Sequence, residues 1–236
     1  MIKVMSIGAV CLSLIAMLLF LLQPKETAQR EVHGIDVSHH QGLVSWEDVA
    51  ESKKIVFAIA KATGGETYTD PQFAFNWHGI RATGLVRGAY HFFYAVDDPQ
   101  KQLDNYLSAV GSFKATDLPP LLDVEIIDNV TTEVLVEGVL QWLQLAEQAT
   151  KRTPILYSDL SFAQQYFQDP RFSKYPLWTA DYGPSVSNLP KPWQHWSIWQ
   201  YSQNGTVDGV QGEVDLNKFY GNLTDFRHFI KQSHVN

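Results

Sequence analysis

The feature that most constrains this chain is a rhythm. Five times a short apolar run of strand character is followed by a helical stretch, and then three more strand-like runs come with little helix between them. The first strands are read at 34–38 (GIDVS), 55–60, 88–94, 121–124 and 154–158. Ser45-Trp46-Glu47-Asp48 opens a helix running to about Ser52, and Lys61 to Gly65 reads as the loop after the second strand. The spacing predicts further helices over 71–83, 99–110, 132–150 and 161–167; Gly84 follows the first of these, where a helix end favours glycine. In the longest, Leu135, Val139, Trp142, Leu143 and Ala146 form an apolar stripe at helical spacing. The late strands, 177–180, 197–201 and 214–216, are separated by segments holding Pro184, Pro190 and Pro192, then Gly205, Gly209 and Gly212, which favour loops or hairpins. The fold class expected is α/β: an irregular TIM-like barrel of about five βα units followed by three strands with few or no late helices.

Ahead of this body, residues 4–22 carry no charge and are nearly all apolar, long enough to cross a bilayer as a helix. Lys3 precedes them, and the polar stretch from Gln23 to Glu31 has no small-residue cleavage site of the A-x-A kind. Residues 1–30 are therefore read as a membrane anchor or signal segment with a short polar linker, and 31–236 as the working domain, expected to be monomeric. That places the domain outside the cytoplasm, anchored if the segment is kept, secreted or periplasmic if it is cut. The single cysteine, Cys11, lies inside the apolar segment, so the body has no internal disulfide and no thiolate chemistry.

Charge excludes one large class of partners. Setting aside Lys3, Lys25, Arg30 and Glu26 from the chain's 18 basic and 25 acidic residues leaves a body with 15 and 24. A domain that acidic, without a basic run or a phosphate-cradling glycine loop, is not built for nucleic acid. No cofactor is expected. Nor is a metal: His39 and His40, read as adjacent on a strand, would point to opposite faces and make no ligand pair.

In barrels of this type the site lies at the C-terminal ends of the strands. Reading those ends gives Asp36, Asp123 with Glu125, Asp181 and Asp215. Side chains at i and i+2 on a strand share a face, so Asp123 and Glu125 should both face the barrel mouth. Two close carboxyls cannot both ionise freely, so one keeps its proton near neutral pH and can donate it, which breaking a glycosidic bond requires. D-x-E alone is common by chance; after Pro119-Pro120 and at a strand end it carries more weight. Tyr90, Phe92, Trp178, Tyr182 and Trp199 are candidates to line a sugar-binding groove, and each is equally suited to a core.

The chain resembles the family 25 glycoside hydrolases, the Chalaropsis-type lysozymes. The matching pieces are His33-Gly34-Ile35-Asp36-Val37-Ser38 with Gln41-Gly42, Phe57-Ala58-Ile59-Ala60-Lys61-Ala62-Thr63, Gly88-Ala89-Tyr90-His91-Phe92 and Leu122-Asp123-Val124-Glu125. They continue with Leu177-Trp178-Thr179-Ala180-Asp181-Tyr182, Trp199-Gln200-Tyr201 and Val214-Asp215-Leu216-Asn217, in order across 33–220. One departure is Gly64, which stands where the family usually has Glu; Glu66 is the nearest substitute.

The resemblance implies cleavage of the β-1,4 bond between N-acetylmuramic acid and N-acetylglucosamine in peptidoglycan, with Glu125 as general acid. Asp123 is then either the nucleophile or the group that orients the substrate's own 2-acetamido group. Asp36 and Asp215 would bind substrate or tune Glu125, with Asp181 a weaker candidate. Two other readings remain open: a chitinase-like hydrolase of β-1,4-N-acetylhexosaminides, which shares the D-x-E strand end, and an inactive wall-binding module that keeps the fold.

Overall fold

The computed structural model describes residues 30–235. Their strands are β1 (Glu31–Val37), β2 (Ile55–Gly64), β3 (Tyr68–Thr69), β4 (Val86–Phe92), β5 (Leu121–Asp123), β6 (Ile155–Asp159), β7 (Leu177–Ala180), β8 (Ile198–Gly205) and β9 (Val214–Asn222). The helices are α1 (Trp46–Glu51), α2 (Phe73–Ala82), α3 (Pro99–Val110), α4 (Thr132–Thr150), α5 (Leu160–Tyr166) and α6 (Leu223–Gln232). Residues 4–22, read above as an anchor, lie outside the described residues. Among those described, no helix is long and apolar enough to cross a membrane.

Neighbouring strands run in the order β1-β9-β8-β7-β6-β5-β4-β2, and β1 also pairs with β2, so eight strands close into a barrel; β3 is a two-residue addition to β2. The expected barrel is borne out, with a difference in direction. β1, β2 and β4 to β8 are mutually parallel, whereas β9 is antiparallel to both β8 and β1. The segment between β8 and β9 holds no helix and cannot carry the chain back to the other end of the barrel, so it turns over as a hairpin. Asp215 is consequently at the N-terminal end of its strand, not the C-terminal end expected, and still reaches the same rim.

Two other expectations change. β2 continues through Lys61 to Gly64 instead of ending at Ala60, because Lys61, Thr63 and Gly64 keep pairing with Tyr90, His91 and Phe92. His39 to Gln41 form a turn of 3-10 helix capped by Ser38, so the two histidines are not on a strand; their ring centroids are 4.0 Å apart. The expected scarcity of late helices holds: among the described residues one follows the last strand, α6, closed at its start by a capping box between Asn222 and Asp225.

Alternation along the strands sorts two apolar sets. Phe57, Ile59, Leu121, Ile155, Tyr157, Trp178, Ile198 and Phe219 fill the barrel interior, and Phe226 and Ile230 of α6 plug its N-terminal end. Outside, the stripe of α4, Trp142 included, packs with Tyr106, Leu103 and the outward residues of β2, β4 and β5. The plug is pinned by the buried Arg152 guanidinium, which donates to the carbonyls of Asp117 and Leu118 and to Ser233 Oγ. Beside it, Arg87 makes a two-pronged ion pair with Asp117, both contacts 3.0 Å, and lies over the Trp77 ring.

Candidate active site

The interior is apolar at one end and polar at the other. At the end where the parallel strands finish, the inward residues are Asp36, Lys61, Tyr90, Asp123, Asp159, Gln200 and Asp215. Each lies in phase with apolar interior residues of its own strand, so the same period-two pattern that builds the core also points these groups into the mouth.

Asp36 and Asp215 are directly paired across β1 and β9. Asp36 Oδ2 accepts from Asn217 Nδ2 at 2.7 Å and from Gln200 Nε2 at 3.0 Å. Asn217 in turn accepts from Trp178 Nε1 at 2.8 Å. Gln200 Oε1 accepts from the hydroxyls of Tyr157 at 3.1 Å and Tyr182 at 2.9 Å. Five barrel strands therefore fix one carboxylate through a relay of amide and ring donors.

Asp123 is buried, and Oδ1 has no hydrogen-bond partner among the described residues. The last paired residue of β5 is Asp123, but Val124 still donates to the Tyr157 carbonyl, so the chain stays extended and brings Glu125 round to the same mouth. Glu125 is open to solvent on one side and crowded by protein on the others. Its carboxyl stands within hydrogen-bonding reach of Asp123.

Burial and mutual repulsion set the protonation of the cluster. Asp123 is held well above the usual carboxylate range, first by burial and then by the Glu125 charge. Glu125 is raised by its enclosure and by Asp159. Burial also raises Asp36, against the pull of its Asn217 and Gln200 hydrogen bonds. Asp215 is pushed up to about 8, by burial first and by the Asp36 charge second. One cation opposes this: the charge of Lys61 lowers both Asp123 and Glu125, while its ammonium sits 4.8 Å from the Phe92 ring centroid.

The sequence-derived candidates divide into two sets. Asp36, Asp123, Glu125 and Asp215 converge at the mouth. Tyr90 and Trp178 form its floor, with centroids 6.3 Å apart, Phe92 lies under Lys61, and Tyr182 stands half-exposed at the rim. Two candidates are placed elsewhere. Asp181 turns its carboxylate back to the Gly183 amide, a local turn contact. Trp199 is out of phase with the inward Gln200 and lies on the outer face, donating to the Asp181 carbonyl at 2.6 Å and covered by Lys218.

Glu66 accepts from the Asp98 amide and pairs with Lys101, so it faces the start of α3 and does not stand in for the family's Glu at Gly64. Reading strand ends for acids alone missed Lys61, Gln200 and Asn217. All three lie inside quoted motifs, and stepping by two from Asp215 reaches Asn217, so alternation was the available signal. Asp70 was missed as well; it is buried beyond β3 and bonds His39 Nδ1 at 2.7 Å, a contact no strand pattern encodes.

Comparison with known proteins agrees with this geometry. The family model described as "Glycosyl hydrolases family 25" matches residues 35–210. The chain is 36% identical over 210 residues to the uncharacterized protein YegX of Escherichia coli K12, covering 86% of this chain and 75% of that one. It is 33% identical over 201 residues to Lysozyme M1 of Streptomyces globisporus, covering 80% and 68%. Among solved structures, the bacterial lysozyme from Streptomyces coelicolor superposes with a TM-score of 0.81 at 31% identity, covering 86% of this chain and 99% of that one. With the family model spanning most of the domain and the barrel superposing on a solved lysozyme over most of both chains, the chain belongs to glycosyl hydrolase family 25.

Proposed function

We propose that residues 31–236 form a muramidase that hydrolyses the β-1,4 bond between N-acetylmuramic acid and N-acetylglucosamine in peptidoglycan, outside the cytoplasm, with residues 4–22 retained as a membrane anchor. Relatives named as lysozymes support the substrate. The observation that carries the chemistry is the pairing of a solvent-facing Glu125 with a buried Asp123 whose Oδ1 is unpartnered.

Enclosure by the surrounding protein and the charge of Asp159 raise the Glu125 carboxyl above its ordinary range, which favours its acid form at the solvent-facing position. Glu125 gives its proton to the leaving glycosidic oxygen as the bond to the anomeric carbon breaks. Asp123 Oδ1 is a buried acceptor in want of a donor, and an amide N–H is the donor a 2-acetamido sugar brings. In this reading Asp123 orients the acetamido group so that its carbonyl oxygen attacks the anomeric carbon. Water then opens the cyclised intermediate, with Glu125 taking the proton back. Asp36, held by Gln200 and Asn217, is rigid enough to position sugar hydroxyls, and Asp215 beside it is a weaker anion that accepts or donates with pH.

The test is mass spectrometry of the muropeptides released from sacculi. Wild-type protein should leave reducing-end N-acetylmuramic acid. Glu125→Gln should be folded and slower by roughly 100- to 10,000-fold; near-wild-type turnover would remove Glu125 from the role. A thiazoline analogue of the cyclised acetamido group should inhibit competitively, whereas a sugar ester trapped on Asp123 would make that residue the nucleophile. Chitin cut in preference to peptidoglycan would favour the chitinase-like alternative, and sacculus binding without new reducing ends the inactive binding module.

A further inference from the structure

The barrel is electrically polarised along its axis. Among the described residues its mouth carries Asp36, Asp123, Glu125, Asp159 and Asp215 against the cation Lys61. The opposite end, the base, is where parallel strands begin, where α1, α3 and α4 finish and where α6 closes the floor. There Lys53, Lys54, Lys114, Lys151, Arg227 and Lys231 are all exposed, and none makes an ion pair among the described residues. The exposed acids of that end are Glu31, Glu51 and Asp225; Glu147 and Asp169 are engaged by Lys174 and Arg171. A domain with more acids than bases has thus gathered unpaired cations on the face away from its chemistry.

The edge of the same face is aromatic. Trp196 enters β8 and Tyr220 leaves β9 at the base, their rings meeting edge-on with centroids 5.0 Å apart; His195 stacks on Tyr220, which is 53% exposed. Tryptophan and tyrosine beside lysine and arginine is the composition of a membrane-water interface, where an amphipathic ring sits at headgroup depth and cations meet phosphates. The chain comes into the domain here too. β1 begins at Glu31 at the base, and residues 23–30 can reach at most roughly 29 Å from the apolar segment at 4–22. A glycan-binding platform would be expected to continue from the catalytic groove, and this surface lies at the other end.

We propose that the base of the barrel is a membrane-docking face. Its lysines and arginines contact anionic phospholipid headgroups, Trp196 and Tyr220 enter the headgroup layer, and the catalytic mouth is turned towards the wall. The proposal rests on residues 4–22 being a retained anchor, which holds the base near the bilayer and makes even weak docking effective.

The test uses the full chain with vesicles of phosphatidylcholine, with or without phosphatidylglycerol, in which the lipid tails carry bromine near the headgroup. Trp196 is the one tryptophan not buried, so wild type minus Trp196→Phe isolates its emission. Quenching of that component by the bromolipid, at least twofold stronger with phosphatidylglycerol, is expected. A cation near an anionic surface contributes about fivefold in binding, so R227E/K231E should lower the docked-to-undocked ratio by roughly 25-fold or more. Cleavage of soluble glycan fragments by that variant should be unchanged, which reports folding. Alkaline extraction of the vesicles reads the anchor separately. A chain that resists extraction while Trp196 stays unquenched overturns the docking face and spares the anchor; a chain that is extracted while Trp196 is quenched does the reverse. Equal quenching without phosphatidylglycerol, or a Trp196 response to glycan strands in place of lipid, also overturns the proposal.

Discussion

At the scale of the residue, the mouth is a place where proteins store instability for use. An aspartate that keeps its proton up to about pH 8, as Asp215 does, is bound to that proton more tightly folded than unfolded. Between about pH 4, where an exposed carboxylate titrates, and pH 8, the folded state holds more protons. Stability from this group is therefore full below pH 4 and is lost as pH rises through 8. Asp215→Asn removes the titration without changing the shape. Its melting temperature should exceed wild type by a margin that widens from pH 4 to pH 8; a margin constant with pH would contradict the burial account of Asp215. Asp36, Asp123, Glu125 and Asp215 were legible in the sequence because strand ends can be read; Asp159 was missed, since the strand was read to end one residue short of it. The amides were not read: alternation from Asp215 reaches Asn217, but that Asn217 and Gln200 hold Asp36 emerges only when β9 closes against β1 with β8 beside it.

At the scale of the element, alternation does most of the work, and it is where glycine is required. Gly34 faces the interior two residues before Asp36, and a Cβ there would lie 2.4 Å from the Phe57 ring. Gly34→Ala should cost about 1–3 kcal/mol, read as a lowered urea midpoint. Adding Phe57→Leu to that variant should recover part of the loss, and no recovery would place the strain elsewhere. Helix positions were legible for the same reason as the strands: α4 shows its stripe because only one face touches the barrel. α6 was missed. Leu223, Phe226, Phe229 and Ile230 do repeat at helical spacing on one face, a signal passed over, and the start of α6 depends on a cap that resembles any loop. Trp199 misled for a complementary reason. A large aromatic in a motif is compatible with groove or shell, and its phase relative to Gln200 decides.

At the scale of the whole molecule, two charge effects belong together. A net acidic domain with an acidic mouth must approach a wall polymer that is itself anionic, and that repulsion is long-ranged at low salt. The KM for sacculi should fall as ionic strength rises from about 0.01 M to about 0.15 M, where screening shortens to within ~8 Å. A KM that climbs with salt would mean a cationic recognition surface lies at the mouth. At the base, the Arg87–Asp117 pair is almost fully buried, so its partners are valuable to each other whatever their net worth to the fold. Asp117→Ala should cost about 3–5 kcal/mol by leaving Arg87 unpaired and freeing the loop that Arg152 grips, read by chemical denaturation. The barrel and its scarcity of late helices were legible as rhythm. The reversal of β9 was not, because direction resides in the length and glycine content of one connection.

That reversal has a consequence in time. Asp36 is made near the start of the domain, yet its ligands Gln200 and Asn217 and its neighbour Asp215 belong to the last two strands. No early fragment can assemble the mouth, and a one-residue slip of β9 would turn Asp215 and Asn217 outward together. Such a hydrolase is silent during synthesis until its final strand docks in register, so activity itself reports that the whole barrel has closed.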